Sequence, residues 1–231
     1  MAAQKTAVVV GGSANIGLAT AKALAARGEL VYVTSREQGR ADAAAKEVGH
    51  GAKGLAFDLS EPSGIAAGLA SVGPVDHLVL AAIERDANTV KNYDVARAVR
   101  LATIKLVGYT ETIHALVPRL NPESAIVLFG GQARARPYPG STTVTSINGA
   151  VTTMIATLAT ELAPIRVNAI HPGVVGDTTF WKDKNLQATV ARTPTGRLAT
   201  TEDCVHATLF LLDNRGVNGV NLVVDGGWTL T

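Results

Sequence analysis

Thr6-Ala-Val-Val-Val10-Gly11-Gly-Ser13-Ala-Asn15-Ile16-Gly17 decides the fold: an apolar strand, a glycine turn, then the helix-like run Leu18-Ala-Thr-Ala-Lys-Ala-Leu-Ala-Ala26. A strand feeding a glycine turn at a helix start offers backbone N–H groups to a pyrophosphate. Glycine lets the main chain approach such a ligand without an intervening Cβ. The spacing is Gly11-x-x-x-Asn15-x-Gly17, not G-x-G-x-x-G. Asn15 stands where a glycine would serve, and asparagine tolerates a left-handed backbone better than most residues. Nucleotide binding and a purely structural turn are both open on these residues alone.

Outward from this turn, apolar runs alternate with helix-like stretches to the end of the chain, the pattern of βαβ units and a parallel sheet. The expected strands are 6–10, 30–34, 52–57, 77–81, 125–129, 166–170 and 219–224. The expected helices are 16–26, 37–48, 63–70, 93–117, 145–162 and 201–212. The fold class is therefore α/β: a Rossmann-type doubly wound seven-stranded parallel sheet in a single domain spanning residues 1–231. The connection from Pro172 to Arg197 is too long for a simple loop, so a substrate lid with helices of its own is expected at about 174–197. In open sheets of this kind ligands bind beyond the carboxyl ends of the strands, where these connections lie.

The composition narrows the function classes. Hydrophobic residues make up 47% and aromatic ones only 4%, which suits a small-aliphatic core buried on both sheet faces. A net charge of +2 argues against an extended nucleic-acid surface. No apolar run reaches membrane-spanning length and no secretory signal pattern opens the chain, so a cytoplasmic protein is expected. A lone cysteine, Cys204, rules out an intrachain disulfide. On its expected helix it reads as a packed thiol. No metal-ligand cluster stands out.

Several further stretches give the chain a family likeness. The glycine turn is close to T-G-x-x-x-G-x-G, and Ile165-Arg-Val-Asn-Ala-Ile-His-Pro-Gly-Val-Val175 to I-R-V-N-x-[IV]-x-P-G-x-[IV]. Phe57-Asp58-Leu59, the run Thr193-Pro-Thr-Gly-Arg-Leu198 and the tail Val224-Asp-Gly-Gly227 complete the set. Over essentially its whole length the chain resembles the short-chain dehydrogenases/reductases. The resemblance implies cofactor contacts from Gly11, Ser13, Asn15, Ile16 and Gly17, from Asp58 and Leu59 at the adenine, and from Ala81 and Ala82. Pro172, Gly173 and Val175 would close over the nicotinamide end. Asp58 equally fits a helix cap. It also implies a dimer or tetramer built on the fourth and fifth helices, whose apolar residues include Leu101, Ile104 and Leu116, and Val151, Met154 and Leu158. Those residues could instead be used up inside the monomer.

Ser35 and Arg36 end the second strand, where an NAD enzyme places a carboxylate on the ribose 2′-hydroxyl. A hydroxyl beside a guanidinium suits a 2′-phosphate, so NADP(H) is the expected cofactor. A solvated Arg36 at a strand end is the plainer alternative.

The family's Asn-Ser-Tyr-Lys tetrad is missing. The matching positions hold Lys105, Gly131, Val144 and Asn148, and the usual N-N-A-G turn reads Leu80-Ala81-Ala82-Ile83. Asn148 can still bond ribose hydroxyls. Three residues offer substitutes for the lost proton donor: Lys105, as acid, base or a lysine snorkelling to solvent; Tyr138, as a phenol over the site or a packing residue; and His171, as a titrating or a structural histidine. Arg134 and Arg136 either receive an anionic substrate or carry a loop's solvated charge. Three functions fit: an NADP(H)-dependent oxidoreductase with a rebuilt proton site, acting on a C=O, C=N or conjugated C=C bond of a small molecule; a non-redox isomerase, lyase or cyclase; and a non-catalytic subunit or nucleotide sensor, paired with an active relative.

Overall fold

A computed structural model describes residues 4–231. Seven parallel strands form one sheet: β1 (Thr6–Val10), β2 (Leu30–Ser35), β3 (Lys53–Ala56), β4 (Val75–Leu80), β5 (Leu120–Phe129), β6 (Arg166–Pro172) and β7 (Asn221–Val224), in the order β3-β2-β1-β4-β5-β6-β7. Alternation along each strand divides the core between two faces. From β1, Val8 and Val10 point to one side, while Ala7 and Val9 point to the other. The first face is covered by α3 (Ile65–Gly68), α5 (Tyr109–Leu116) and α6 (Thr142–Glu161), and α4 (Val95–Ala102) packs on α6. The second is covered by α1 (Asn15–Ala26), α2 (Gln38–Val48) and, after the short α7 (Gln187–Arg192), by α8 (Thr201–Asp213).

The order in which strands are added to the sheet reverses between β1 and β4, the switch point at which ligands enter such sheets. The loops after these two strands touch there: a Cβ on Gly11, at φ +76°, would lie 2.7 Å from the Ala82 backbone. Glycine is required by both its conformation and that approach.

Two expectations are corrected, and one open reading is narrowed. The helix expected over 93–117 is broken: between α4 and α5 lies a π turn, Thr103–Gly108, which contains Lys105. This widening accompanies a close approach to the loop after β3, where a Cβ on Gly108 would sit 2.4 Å from the Leu59 carbonyl. The helix expected over 63–70 is a 3-10 turn, Pro62–Gly64, followed by the single turn of α3. The apolar residues expected at an oligomer face are largely spent inside the monomer: Leu101, Ile104, Leu116, Val151 and Leu158 are buried and Met154 is partly so. Val95, Val99 and Val107 are among the exposed apolar residues of that region, with Tyr93 and Val117.

Cys204 is buried and unpaired, and burial pushes its thiol up to about 12, as a packed thiol should be. Among the described residues no helix is long and apolar enough to cross a membrane, and no cluster of metal-ligating side chains occurs.

Candidate active site

A cleft of about 780 Å³ runs across the carboxyl ends of the strands, and every cofactor-contact position expected from the sequence lines it. So do Tyr138 and all four tetrad positions, Lys105, Gly131, Val144 and Asn148.

At one end, the glycine turn is built for close approach. Asn15 takes φ +48°, the left-handed conformation its place in the turn requires. Its Oδ1 accepts from the Thr179 N–H at 2.9 Å, tying the turn to the segment over the cleft. A Cβ on Gly17 would fall 2.2 Å from the Gly11 carbonyl. The N-cap of α1 is Ala14, which offers no side-chain acceptor, so the first-turn N–H groups are free to receive an anion. Beyond them stand Ser35 and Arg36. Arg40, one helical turn further and not singled out from sequence, lines the cleft as well. Neither arginine has an ion-pair partner among the described residues, and Glu37 does not line the cleft. These groups fit a phosphate-rich dinucleotide.

Asp58 serves its own loop as well as the cleft. Burial opposes its charge, but bonds from the Ser60 N–H and hydroxyl, both 2.8 Å, and Arg100 at 3.4 Å hold its carboxyl below the usual range.

At the other end lies Lys105, one of the four positions matched from sequence to the family's tetrad. Lys105 is only 3% exposed, which removes the reading of a lysine reaching to solvent. Its Nζ donates to the Phe129 carbonyl at 2.7 Å and to the Tyr109 hydroxyl at 2.9 Å, and Tyr109 in turn donates to the Ala82 carbonyl at 2.7 Å. Both Lys105 partners can therefore only accept, and two N–H bonds are committed. The third valence alone is free, a proton in the ammonium or a lone pair in the amine. Burial, followed by the charge of Arg85, lowers the Lys105 pKa to about 7.

Sequence reasoning missed Tyr109, although Lys105-Leu-Val-Gly-Tyr109 is the family's Tyr-x-x-x-Lys spacing reversed, one helical turn apart. Tyr109 is fully buried and does not line the cleft, and burial pushes its hydroxyl well above the usual phenol range. It positions the lysine and offers no proton to the cleft.

His171 lies behind the cleft. Its Nδ1 accepts from the Gly131 N–H at 3.2 Å, so its proton sits on Nε2, which donates to Asn221 Oδ1 at 2.8 Å. Burial lowers it to about 4, with Arg134 and Lys105 adding to the effect, so the ring is neutral and structural. A Cβ on Gly130 would meet this ring at 2.4 Å, which explains that glycine. Arg134 does not line the cleft, whereas Arg136 does. Tyr138 is 46% exposed, and its hydroxyl adjoins Arg85, a second residue the sequence reading passed over.

The segment over the cleft is anchored at its base. Val175 bridges Ala199, and the Asp177 carboxylate accepts from the Thr201 N–H at 2.9 Å. Phe180 and Trp181 then meet edge to face at 4.7 Å on the cleft wall.

Comparison with known proteins agrees with this fold. A family model described as enoyl-(acyl carrier protein) reductase matches residues 11–229. L-xylulose reductase of Bos taurus is 33% identical over 242 residues, covering 99% of this chain and 98% of that protein. A protein of Xanthobacter autotrophicus named inactive 2-(S)-hydroxypropyl-CoM dehydrogenase 2 is 31% identical, covering 90% of this chain and 99% of its own. The solved structure of 3-ketoacyl-(acyl-carrier-protein) reductase from Brucella melitensis complexed with NADH is similar at a TM-score of 0.87 and 27% identity, covering 97% of this chain and 98% of that one. With a matching family model over nearly all its length and a seven-stranded parallel sheet to go with it, the chain belongs to the short-chain dehydrogenase/reductase family of oxidoreductases.

Proposed function

We propose that the protein is an NADP(H)-dependent oxidoreductase that reduces a C=O, C=N or conjugated C=C group of a small molecule, with Lys105 as its proton-exchanging group. The carrying observation is the buried Lys105 amine on the cleft, with two of its three valences committed and a pKa near neutrality. Near pH 7 both its acid and base forms are populated, the condition general acid–base catalysis favours.

The uncapped start of α1, with Ser13, would hold the pyrophosphate, and Ser35, Arg36 and Arg40 the 2′-phosphate. Asp58 and Leu59 would border the adenine. Asn148, which lines the cleft and has no side-chain hydrogen bond among the described residues, would bond ribose hydroxyls. Pro172, Gly173 and Val175 would close the nicotinamide end. When bound, the dinucleotide supplies a hydride. The chain's own groups do the rest. Lys105 gives up or takes the accompanying proton, and Tyr109 and the Phe129 carbonyl fix its direction. Val144 and Gly131 add no competing donor. The segment 174–197 acts as the lid, with Phe180 and Trp181 excluding water. The exposed Val95, Val99 and Val107 favour a homo-oligomer on this helix face.

The test is a screen of carbonyls, imines and enones for NADPH oxidation, repeated with Lys105→Met. The expected loss of kcat in the variant is about 10²–10⁴-fold, the usual worth of a general acid. An unchanged rate excludes Lys105 from the mechanism. A second reading, a non-catalytic subunit, draws on the vacated tetrad and on similarity to a relative named as inactive. It predicts saturable NADPH binding with no oxidation across the panel.

A further inference from the structure

The proposed function leaves the substrate unnamed beyond its reducible bond, and the charges around Lys105 narrow it. Lys105, Arg85 and Arg136 all line the cleft, and the Arg85 charge reaches Lys105. The lining carboxylates, Glu84 and Asp58, are both turned to Arg100, at 3.0 Å and 3.4 Å. Neither Arg85 nor Arg136 has an ion-pair partner among the described residues.

Each guanidinium is instead laid on aromatic rings. Arg85 lies 4.0 Å from the Phe180 centroid and 5.8 Å from that of Trp181. Arg136 lies 4.7 Å from the Trp228 ring and donates to the Trp228 carbonyl. Although Arg85 stays exposed as a residue, its guanidinium is crowded by these neighbours, and local desolvation lowers its pKa. Stacking fixes the guanidinium plane, and beyond the Arg85 contact with the Tyr138 hydroxyl and the Arg136 bond to the Trp228 carbonyl each guanidinium keeps further N–H donors, which can receive a planar carboxylate.

We infer that the substrate is a small oxo acid or its unsaturated counterpart, whose carboxylate is received by Arg85 and Arg136 with the reducible carbon towards Lys105. The inference rests on the oxidoreductase reading for the meaning of the cleft, but its test does not.

Both tryptophans of the chain, Trp181 and Trp228, lie against these two arginines, so tryptophan emission reports occupancy without turnover. The full chain, with and without NADP⁺, is titrated with pyruvate, acetoacetate and levulinate, and with their methyl esters. At least one acid should saturate and bind at least about tenfold tighter than its ester, the worth of a charge-assisted bond. Arg85→Gln should weaken that acid by about tenfold, leave the ester and NADP⁺ within about twofold, and be partly rescued by Arg85→Lys. Arg136→Gln supplies the same comparison if Arg85→Gln does not fold. The inference is overturned if acids and esters bind alike, if no acid saturates, or if Arg85→Gln weakens NADP⁺ as much as the acid. Acid binding with no NADP⁺ binding would instead defeat the oxidoreductase reading and leave the carboxylate site standing.

Discussion

Replacing Lys105 with methionine should stabilise the fold while abolishing proton exchange. The folded amine has a pKa of about 7, against 10.5 for an unperturbed lysine, so between these values the unfolded chain binds a proton that the native protein does not. The wild-type stability must then rise with pH across that window. At pH 7 the shift corresponds to about 4 kcal/mol of cost, falling to about 1 kcal/mol by pH 10. Methionine keeps much of the side-chain volume and removes this term, but strands the Phe129 carbonyl, which costs about 1 to 3 kcal/mol. The net expectation at pH 7 is a variant about 1 to 3 kcal/mol more stable, with the difference reversing or vanishing near pH 10. Urea denaturation of both proteins from pH 7 to pH 10 measures this directly, since effects of other groups cancel in the comparison. A destabilised variant at pH 7, or parallel stability profiles, would refute the claim that a buried amine of lowered pKa lies at this position.

The remaining predictions concern the glycine turn and His171. Gly17→Ala places a Cβ where only 2.2 Å separates it from the Gly11 carbonyl, so the turn must shift. The expected result is a stability loss of about 1–3 kcal/mol with loss of NADPH binding, read by thermal melting and fluorescence titration. Retained affinity would show that the turn does not hold the nucleotide. His171 is held neutral to about pH 4, below the unfolded value of 6.5. The unfolded chain therefore protonates first, and stability should fall by about 3 kcal/mol as pH drops through that window. His171→Gln should flatten this acid limb, and an unchanged limb would contradict the buried neutral ring.

The sheet was legible because a parallel strand buried on both faces needs a continuous apolar run, as in Ala7–Val10 and Leu78–Leu80. Boundaries drifted where polar residues extend a strand: β5 begins at Leu120, and its pairing with β4 shifts register between Val75 and His77. The π turn left no mark in composition, because changing a helix from i→i+4 to i→i+5 bonding alters no residue type. The site divided in the same way. Local chemistry, such as Asn15 in its left-handed turn, could be read from neighbours in the chain. Arg85 could not, since its setting comes from Phe180 and Tyr138 on distant loops. Lys105 was placed correctly on the cleft, but the partners that restrict it to one free valence become visible only when β5, the π turn and the loop after β4 converge.

The proposed activity depends most on the cleft holding a nicotinamide dinucleotide. Titration of the protein with NADPH and with NADH, followed by nicotinamide fluorescence, tests it most directly. The account predicts saturation by NADPH, at least about tenfold tighter than NADH, with the preference lost or reversed in Arg36→Glu. Failure of both dinucleotides to saturate would contradict it, and an unchanged preference in Arg36→Glu would remove the assigned 2′-phosphate site.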